Sequence, residues 1–341
     1  MSDTFHPAPD DGSAPTNKVL VVIVNYNGGS SLTDCVASVI AQAIPTEIVV
    51  VDNGSTDGSD IAVAGAFPDV LVRKSSSNLG FGAAINLAVS ENVGETIVVL
   101  NPDILLKTGC LAALLSALQA KSGVVGPVLS VEASDSREAG WTINHTGMPK
   151  VQDTGRLPLY VPGCVMATSR AVFETVGGFD DRYFLFVEDV EFCWRALLAG
   201  FEVSVASEAE AIHEGGGSAE GGYLKVGSRY QTSELRVSLR ERNDIALMIA
   251  CAPWWWLPFI IPLLIGHSLA VATGAMSIGR PYLARDLVIG IGWNIKQLHG
   301  SLERRCSLPR SQTGCRNARS RFAFGPLLIR TIRAYGLPDI H

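Results

Sequence analysis

The chain has 341 residues, 47% of them hydrophobic and 18% charged, so it is long enough for one large domain or one domain with an appendage. Its net charge of −6 is uneven, because residues 280–341 hold 11 Lys and Arg against 3 Asp and Glu, yet no nucleic-acid-binding motif accompanies this basic region, which argues against a nucleic-acid partner. The seven cysteines contain no Cys-x-x-Cys pair, which favours reduced thiols over a disulfide scaffold or a zinc site.

The first 17 residues are rich in Pro, Asp, Ser and Gly and contain no apolar run. They are therefore expected to form a disordered leader and not a signal peptide, which predicts a cytoplasmic catalytic region. Short apolar runs at 18–24, 48–51, 70–72 and 97–100 predict strands, and helical spacing follows the first and third of them. Strands that alternate with helices predict an α/β fold with a mostly parallel central sheet.

Polar side chains follow several of these strands, at the sheet edge where open α/β sheets bind ligands. The loops after the first, second and fourth strands are expected to converge on one crevice. Asp52 can accept a hydrogen bond from a nucleobase or a ribose hydroxyl, or it can form an ordinary Asx-turn. Asp103 can ligate Mg²⁺ or Mn²⁺ bound to a diphosphate, or it can be a plain turn residue. His213, in a glycine-rich loop, suits a diphosphate or a metal, although a loop histidine is usually only solvated.

An acidic segment at 177–195 begins with two glycines and runs into a helix. The apolar stripe of this helix includes Val190 and Trp194. Glu188 and Asp189 open this helix, where a helix N-terminus favours ionised carboxylates. They are either first-turn caps or, beside a cleft, a general base that takes a proton from a hydroxyl. The preceding polar loop at about 130–160, which offers Arg137, Trp141, His145 and Arg156, is expected to set substrate selectivity.

Residues 245–279 carry no formal charge apart from a protonated His267, and three tryptophans stand at 254–256. A helix over 254–278 would reach about 37 Å, which is enough to cross a bilayer. Pro258 and Pro262 are expected to interrupt it, and a single crossing would place the basic tail outside. The pattern favours a re-entrant or interfacial helix, then an amphipathic helix with one apolar face formed by Leu283, Leu287, Ile291, Ile295 and Leu298. The alternative is a buried hairpin in a soluble homodimer.

Six motifs in order resemble family 2 glycosyltransferases, most closely the bacterial rhamnosyltransferase-like branch. The resemblance covers residues 18 to about 245, and its motifs are VIVNYNG at 22–28, VVDNGSTDG at 50–58, NLGFG at 78–82, LNPD at 100–103, GGFDDRYFLFVED at 177–189 and HEGGGS at 213–218. It implies the GT-A nucleotide-sugar fold and inverting transfer from a nucleoside diphosphate sugar.

The resemblance also implies roles for single residues. Asp189 matches the catalytic base and Glu188 its neighbour, and Asp103 and His213 match positions that hold Mg²⁺ or Mn²⁺. The first acid of the family's metal motif is Asn101 here, as is common in the rhamnosyl branch, so the metal motif is matched only in part. Acceptor contacts are implied for Trp194 and Arg195, and donor binding is assigned to Tyr26, Asp52, Asn78, Asn101 and Asp103.

The predicted organisation is a leader at 1–17, a GT-A domain at 18–245, hydrophobic and amphipathic membrane-associating helices at 246–300 and a basic tail at 301–341. The predicted function is transfer of rhamnose from dTDP-rhamnose to a lipid-linked or cell-surface glycan precursor, at the cytoplasmic face of the inner membrane. The alternatives are a UDP-sugar donor (galactosyl, galactofuranosyl or N-acetylglucosaminyl transfer) or a catalytically silent sugar-nucleotide-binding module. A nucleotidylyltransferase is disfavoured because its glycine-rich, arginine-bearing first loop is absent.

Overall fold

The computed structural model describes residues 18–131, 136–143, 149–151, 156–214, 224–226, 229–322 and 339–340. The strands are β1 Val19–Asn25, β2 Thr46–Asp52, β3 Leu71–Lys74, β4 Thr96–Leu100, β5 Ile104–Leu106, β6 Gly123–Val131, β7 Ser136–Glu138, β8 Trp141–Ile143, β9 Pro149–Val151, β10 Val165–Ser169, β11 Glu202–His213, β12 Leu224–Val226, β13 Arg229–Thr232 and β14 Asp339–Ile340. The helices are α1 Gly29–Ile40, α2 Ser59–Ala66, α3 Phe81–Glu91, α4 Cys110–Ala120, α5 Arg170–Thr175, α6 Glu188–Ala199, α7 Glu234–Cys251, α8 Leu257–Ser277, α9 Pro281–Lys296, α10 Leu298–Ser307 and α11 Gln312–Ser320. The predicted leader at 1–17 lies outside the described residues.

The main sheet has nine strands in the order β3-β2-β1-β4-β10-β6-β11-β5, with β7 paired to β6. Strands β1, β2, β3 and β4 are parallel to one another, and β6 and β11 run in the same direction. Strands β5, β7 and β10 run the opposite way. The prediction of an α/β fold with a mostly parallel sheet is confirmed.

Both faces of this sheet are covered, so its central strands are apolar on both sides. In β1, Leu20, Val22 and Val24 pack on one face with helices α3 and α6, while Val19, Val21 and Ile23 pack on the other with α1 and α4. This alternation is the two-residue period of a strand. The sheet is therefore a rigid platform that places the loops after its strands at one edge.

The segment at 130–160 is more regular than its composition predicts. It contains β7 and the β8–β9 hairpin, and it is also held by side chains, since Arg137 pairs with Glu210 and the Trp141 indole donates to Glu138. Arg156 is exposed, and His145 lies outside the described residues. Strand β7 joins β6 at Leu129–Val131, beyond the part of β6 that pairs with β10.

Five helices follow the main sheet, and the predicted boundary after residue 245 falls inside α7, which continues to Cys251. The apolar segment forms one helix, α8, so the predicted interruption by Pro258 and Pro262 is wrong. Pro258 lies in the first turn, where no intrahelical N–H bond is lost, and the helix continues through Pro262. It is the one described helix long and apolar enough to cross a membrane, and 28% of its most apolar window is buried. The predicted apolar face of α9 is divided, since Leu283 and Leu287 are buried but Ile295 is exposed.

The predicted basic tail is folded back onto the protein as far as residue 322. Its helices α10 and α11 pack on α7 and α6. Four of its arginines donate to backbone carbonyls, namely Arg304 to Gly177 and Gly178, Arg305 to Ile249, Arg310 to Ala250 and Arg321 to Pro158 and Val203. These four arginines therefore support the fold of the C-terminal helices.

Candidate active site

Asp52 is held in place by a buried asparagine at the end of the neighbouring strand. The register of β1 and β2 puts Asn25 opposite Asp52, and the Asn25 Nδ2 donates to Asp52 Oδ1 at 2.8 Å, Ser55 Oγ at 3.1 Å and Ser59 Oγ at 2.9 Å. The other Asp52 oxygen accepts from the Ser55 backbone N–H at 3.2 Å. The carboxylate of Asp52 is 3% exposed, so its orientation is fixed by these bonds before any ligand arrives.

The loops after β1, β2 and β4 meet as predicted. An added Cβ on Gly28 would lie 2.5 Å from Asn25 Oδ1 and 3.0 Å from Pro102, so the first loop lies directly against the fourth-strand loop. From the second loop, Asn53 Nδ2 donates to the Gly80 carbonyl at 3.1 Å. A cleft of about 420 Å³ lies beside Asp52 and is lined by the segment after β2, including Ser55, and by Lys74 and Ser75 at the end of β3.

Three more residues predicted to bind a donor lie around the same edge, namely Tyr26, Asn78 and Asn101. Tyr26 is 38% exposed, which leaves its ring available to a planar ligand. Asn78 is half-buried, and its Oδ1 accepts the Gly80 N–H at 2.9 Å, so this side chain shapes the loop. Asn101 is half-buried, and its backbone N–H donates to the Cys164 carbonyl at 2.8 Å. Their roles toward a donor stay predictions.

Asp103 and His213 are brought together by antiparallel pairing of β5 and β11, which sets His213 opposite Ile104. The Asp103 Oδ2 lies 3.2 Å from His213 Nε2. Burial disfavours the imidazolium, yet the hydrogen bond and charge of Asp103 outweigh it and raise the pKa of His213 above its ordinary value. Next to it, Glu214 accepts from the Ser31 hydroxyl at 2.8 Å.

The donor atoms of Asp103 and His213 determine whether this pair suits a cation. No group of three or more His, Cys, Asp or Glu side chains suited to a metal occurs within the described ranges. One carboxylate oxygen and one imidazole nitrogen are nevertheless acceptable to Mn²⁺ or Mg²⁺ when diphosphate oxygens and water complete the coordination. Asp103 and His213 thus fit a cation held jointly with a diphosphate, and they do not form a cage that would bind one alone.

Asp189 stands in the first turn of α6 and accepts two backbone hydrogen bonds. Its Oδ2 accepts from Gly163 at 2.9 Å and its Oδ1 from Val190 at 2.8 Å. An added Cβ on Gly163 would lie 3.2 Å from the Asp189 Cβ, so a glycine allows this close approach. Since Cys164 bonds to Asn101, Asp189 is tied to the same strand end as Asp103. The prediction that Glu188 and Asp189 open a helix is confirmed.

Local electrostatics distinguish the two acids. Burial raises the pKa of Asp189, and the N–H groups of Gly163 and Val190 counteract part of that rise. Burial and the charge of Asp189 raise the pKa of Glu188 well above its ordinary value, and its Oε2 has no hydrogen-bond partner among the residues described. The proton of the pair therefore resides first on Glu188, which leaves Asp189 as the carboxylate that ionises more readily.

The structure contradicts the acceptor contacts predicted for Trp194 and Arg195. Both side chains are 1% exposed, and the Trp194 ring packs edge-on against Phe322 at 4.8 Å. Arg195 donates to both Glu191 oxygens, at 2.6 and 2.7 Å, and to the carbonyls of Val176 and Gly178. Its donors are thus turned into the core. Glu191 and Arg195 form an ion pair one helical turn apart.

Two residues that the sequence reading did not single out are central to this geometry. Asn25 ends the first strand and orients Asp52, and it stands inside the motif at 22–28. Its position directly after an apolar strand was the available signal. Gly163 supplies the N–H that orients Asp189 across 26 residues of sequence, and only tertiary structure reveals that contact.

Sequence comparisons relate this chain to known glycosyltransferases. Residues 20–177 match the family described as glycosyl transferase family 2. Over 235 residues the chain is 28% identical to the N-acetylglucosaminyl-diphospho-decaprenol L-rhamnosyltransferase of Mycobacterium tuberculosis, covering 58% of this chain and 76% of that protein.

Solved structures share the fold at low sequence identity. The mannosyltransferase PcManGT from Pyrobaculum calidifontis, in complex with GDP-Man and Mn²⁺, superposes with a TM-score of 0.50 and 19% identity over 94% of this chain and 90% of its own. TarS from S. aureus, in complex with UDP-GlcNAc, gives 0.53 and 17% identity over 90% and 93%. This chain carries a glycosyl transferase family 2 domain with the GT-A fold, and the protein is a glycosyltransferase.

Proposed function

We propose that the protein is an inverting rhamnosyltransferase that moves rhamnose from dTDP-rhamnose to a hydroxyl of a lipid-linked or cell-surface glycan precursor. The observation that carries the reaction type is Asp189, an oriented carboxylate linked through Gly163 and Cys164 to the strand end that bears Asp103. The similarity to the mycobacterial enzyme supports both rhamnose as the sugar and a lipid-linked acceptor.

In this reaction the donor nucleoside lies in the cleft beside Asp52, whose carboxylate accepts from the ribose or the base while the exposed ring of Tyr26 covers the base. Asp189 accepts the acceptor hydroxyl proton as that oxygen attacks the anomeric carbon from the face opposite the diphosphate. A carboxylate whose pKa is raised by burial is a stronger base than a solvated one, which suits this step. Configuration is inverted and no covalent intermediate forms.

A divalent cation, Mg²⁺ or Mn²⁺, when bound with the donor, offsets the negative charge on the departing diphosphate. Asp103 and His213 are the residues that would hold it. With the carboxylate at Asp103 and an amide at Asn101, the chain itself contributes little negative charge, so the diphosphate must complete the site.

The test is a donor screen with purified protein, a polyprenyl-diphosphate sugar acceptor and a panel of dTDP-rhamnose, UDP-galactose, UDP-GlcNAc and GDP-mannose. Acceptor-dependent release of dTDP from dTDP-rhamnose alone is expected. Release from a UDP-sugar instead would replace the rhamnose assignment, and donor binding without release from any donor would mean a silent binding module.

Two matched substitutions then test the base. Asp189→Asn is expected to reduce turnover to a small residual rate, with little effect on the affinity for dTDP. Asp181→Asn is the control, because this exposed acid lies in the same segment and bonds to Asn86 at 2.6 Å, away from Asp189. Full activity of Asp189→Asn would show that another group is the base.

We further propose that helices α8 and α9 rest on an anionic membrane at the cytoplasmic face of the inner membrane. Their outward side is apolar over a long stretch, with Trp254, Phe259, Met276, Tyr282 and Ile289 each more than half exposed. Large exposed apolar side chains grouped on neighbouring helices are typical of a binding face. The exposed Arg285 and Lys296 on α9 suit anionic headgroups, and tryptophans at one end are typical of an interfacial helix.

Co-sedimentation with vesicles of phosphatidylglycerol and phosphatidylcholine, and of phosphatidylcholine alone, tests this surface. Binding to the anionic vesicles should fall at least several-fold when Trp254 and Phe259 are both replaced by serine. Val93→Ser is the control, because Val93 is a similarly exposed apolar residue, 69% exposed, that follows α3 and belongs to neither α8 nor α9. If the wild-type protein does not bind vesicles and elutes as a homodimer in size-exclusion chromatography, a second copy covers this face instead.

A further inference from the structure

The loop that leads into Asp189 has a strained backbone. Phe184, Phe186 and Val187 have φ values of 64°, 67° and 73°, in the left-handed region that bulky residues avoid. Each such residue costs on the order of 1–3 kcal/mol and persists only where surrounding structure imposes it. Since Val187 directly precedes Glu188 at the start of α6, this loop sets the direction in which the helix begins.

One buried amide on α7 contacts most of this loop. Asn243 is 0% exposed, and its Nδ2 donates to the carbonyls of Tyr183 at 3.0 Å, Leu185 at 2.9 Å and Phe186 at 2.7 Å. Its Oδ1 accepts from Arg242 Nε at 2.9 Å, which fixes the orientation of the amide. A side-chain amide that reaches three carbonyls in four residues imposes one conformation on that backbone.

The neighbouring residues reinforce this arrangement from two sides. Arg242 also donates to the Tyr183 carbonyl at 2.7 Å, and its guanidinium stacks 4.4 Å from the Trp293 ring of α9. On the opposite side, the Phe81 N–H donates to the Phe184 carbonyl at 2.8 Å. The loop is therefore held between α3, at the donor cleft, and α7, in the C-terminal helices.

We propose that Asn243 is a positioning residue for sugar transfer: it holds residues 183–187 in the conformation that aims the Asp189 carboxylate at Gly163 and the acceptor. It does not touch substrate. The proposal rests on Asp189 being the base. Because displacement of a reacting group by about 1 Å can cost about 100-fold in rate, loss of this amide should act on turnover and not on donor binding.

The test compares Asn243→Ala with a matched amide that misses the loop. Asn294 on α9 is also buried, and its Nδ2 donates to the backbone carbonyls of Arg242 at 2.9 Å and Gly290 at 3.0 Å. Asn243→Ala is expected to lower kcat by about 10-fold or more, with donor KM and dTDP affinity changed by less than about 2-fold. Asn294→Ala should lower the unfolding temperature similarly but leave kcat within about 2-fold. Equal losses of kcat in the two variants would show a merely structural role and overturn the proposal.

A double-variant cycle separates this proposal from the assignment of the base. If Asn243 acts through Asp189, adding Asn243→Ala to Asp189→Asn should not lower the residual rate further. Additive losses would overturn the proposal. Turnover retained by Asp189→Asn alone would instead overturn the proposed function. If Asn243→Ala does not fold, Asn243→Ser, which keeps one donor, takes its place and should give the same split between kcat and donor KM.

Discussion

Replacing Arg195 tests whether this side chain supports the core or contacts the acceptor. The Glu191–Arg195 ion pair is almost fully buried, with side chains 0% and 1% exposed, and Arg195 also donates to two carbonyls before the acidic loop. Arg195→Met leaves the Glu191 carboxylate buried, with the guanidinium of Arg304 3.6 Å away. Breaking a buried pair from one side costs about 3–5 kcal/mol, so a fall of that size in the free energy of unfolding is expected.

Urea unfolding followed by tryptophan fluorescence measures this loss, and acceptor KM is measured below the unfolding transition. The double variant Glu191→Leu, Arg195→Met is the control, because it leaves no unpaired charge and should be less destabilised than the single variant. An Arg195→Met protein of unchanged stability but raised acceptor KM would refute the reasoning and restore the acceptor contact.

Three further substitutions test the donor cleft and the base. Asn25→Ala should raise donor KM about 10-fold or more in the nucleotide-release assay, because Asp52 loses the donor that orients it. Activity should fall as pH falls through the raised pKa of Asp189, since the protonated acid cannot act as a base. Arg240→Ala should move this acidic limb of the pH–activity profile to higher pH, because the positive charge of Arg240 lowers the pKa of Asp189. An acidic limb that does not move would exclude Asp189 as the titrating group. Gly80→Ala should lower kcat, because Gly80 has φ +89° and its Cβ would lie 2.4 Å from a carbonyl of the strained loop; unchanged kcat would show that the loop tolerates displacement.

The sequence predicts the part of the site that depends on sheet topology. Asp52 and Asp103 follow apolar strands, and parallel strands bring their carboxyl ends to one edge, so their proximity could be expected without coordinates. The position of Asp189 at a helix N-terminus could also be expected, because acidic residues precede an apolar helical stripe there.

What the sequence did not predict depends on contacts between distant segments. Trp194 belongs to an apolar helical stripe, but the ring that covers it, Phe322, lies 128 positions later in the chain. Likewise, a run of arginines has the same composition whether it meets lipid headgroups or carbonyls left unpaired where helices end. Arg305 and Arg310 contact such carbonyls in the last turn of α7, and this can be read only from the fold.

Contacts from α7 join the C-terminal helices to the loop that leads into the proposed base, Asp189. Helix α7 carries Asn243 against the loop before Asp189, and its last turn is fixed by Arg305 and Arg310. The same helix packs against α8 and α9, whose outward side is the proposed membrane surface. Helix α7 thus connects that proposed surface to the loop before Asp189, without a flexible linker between them. An acceptor anchored in the membrane would then reach Asp189 at a height set by the packing of α7 on α8 and α9.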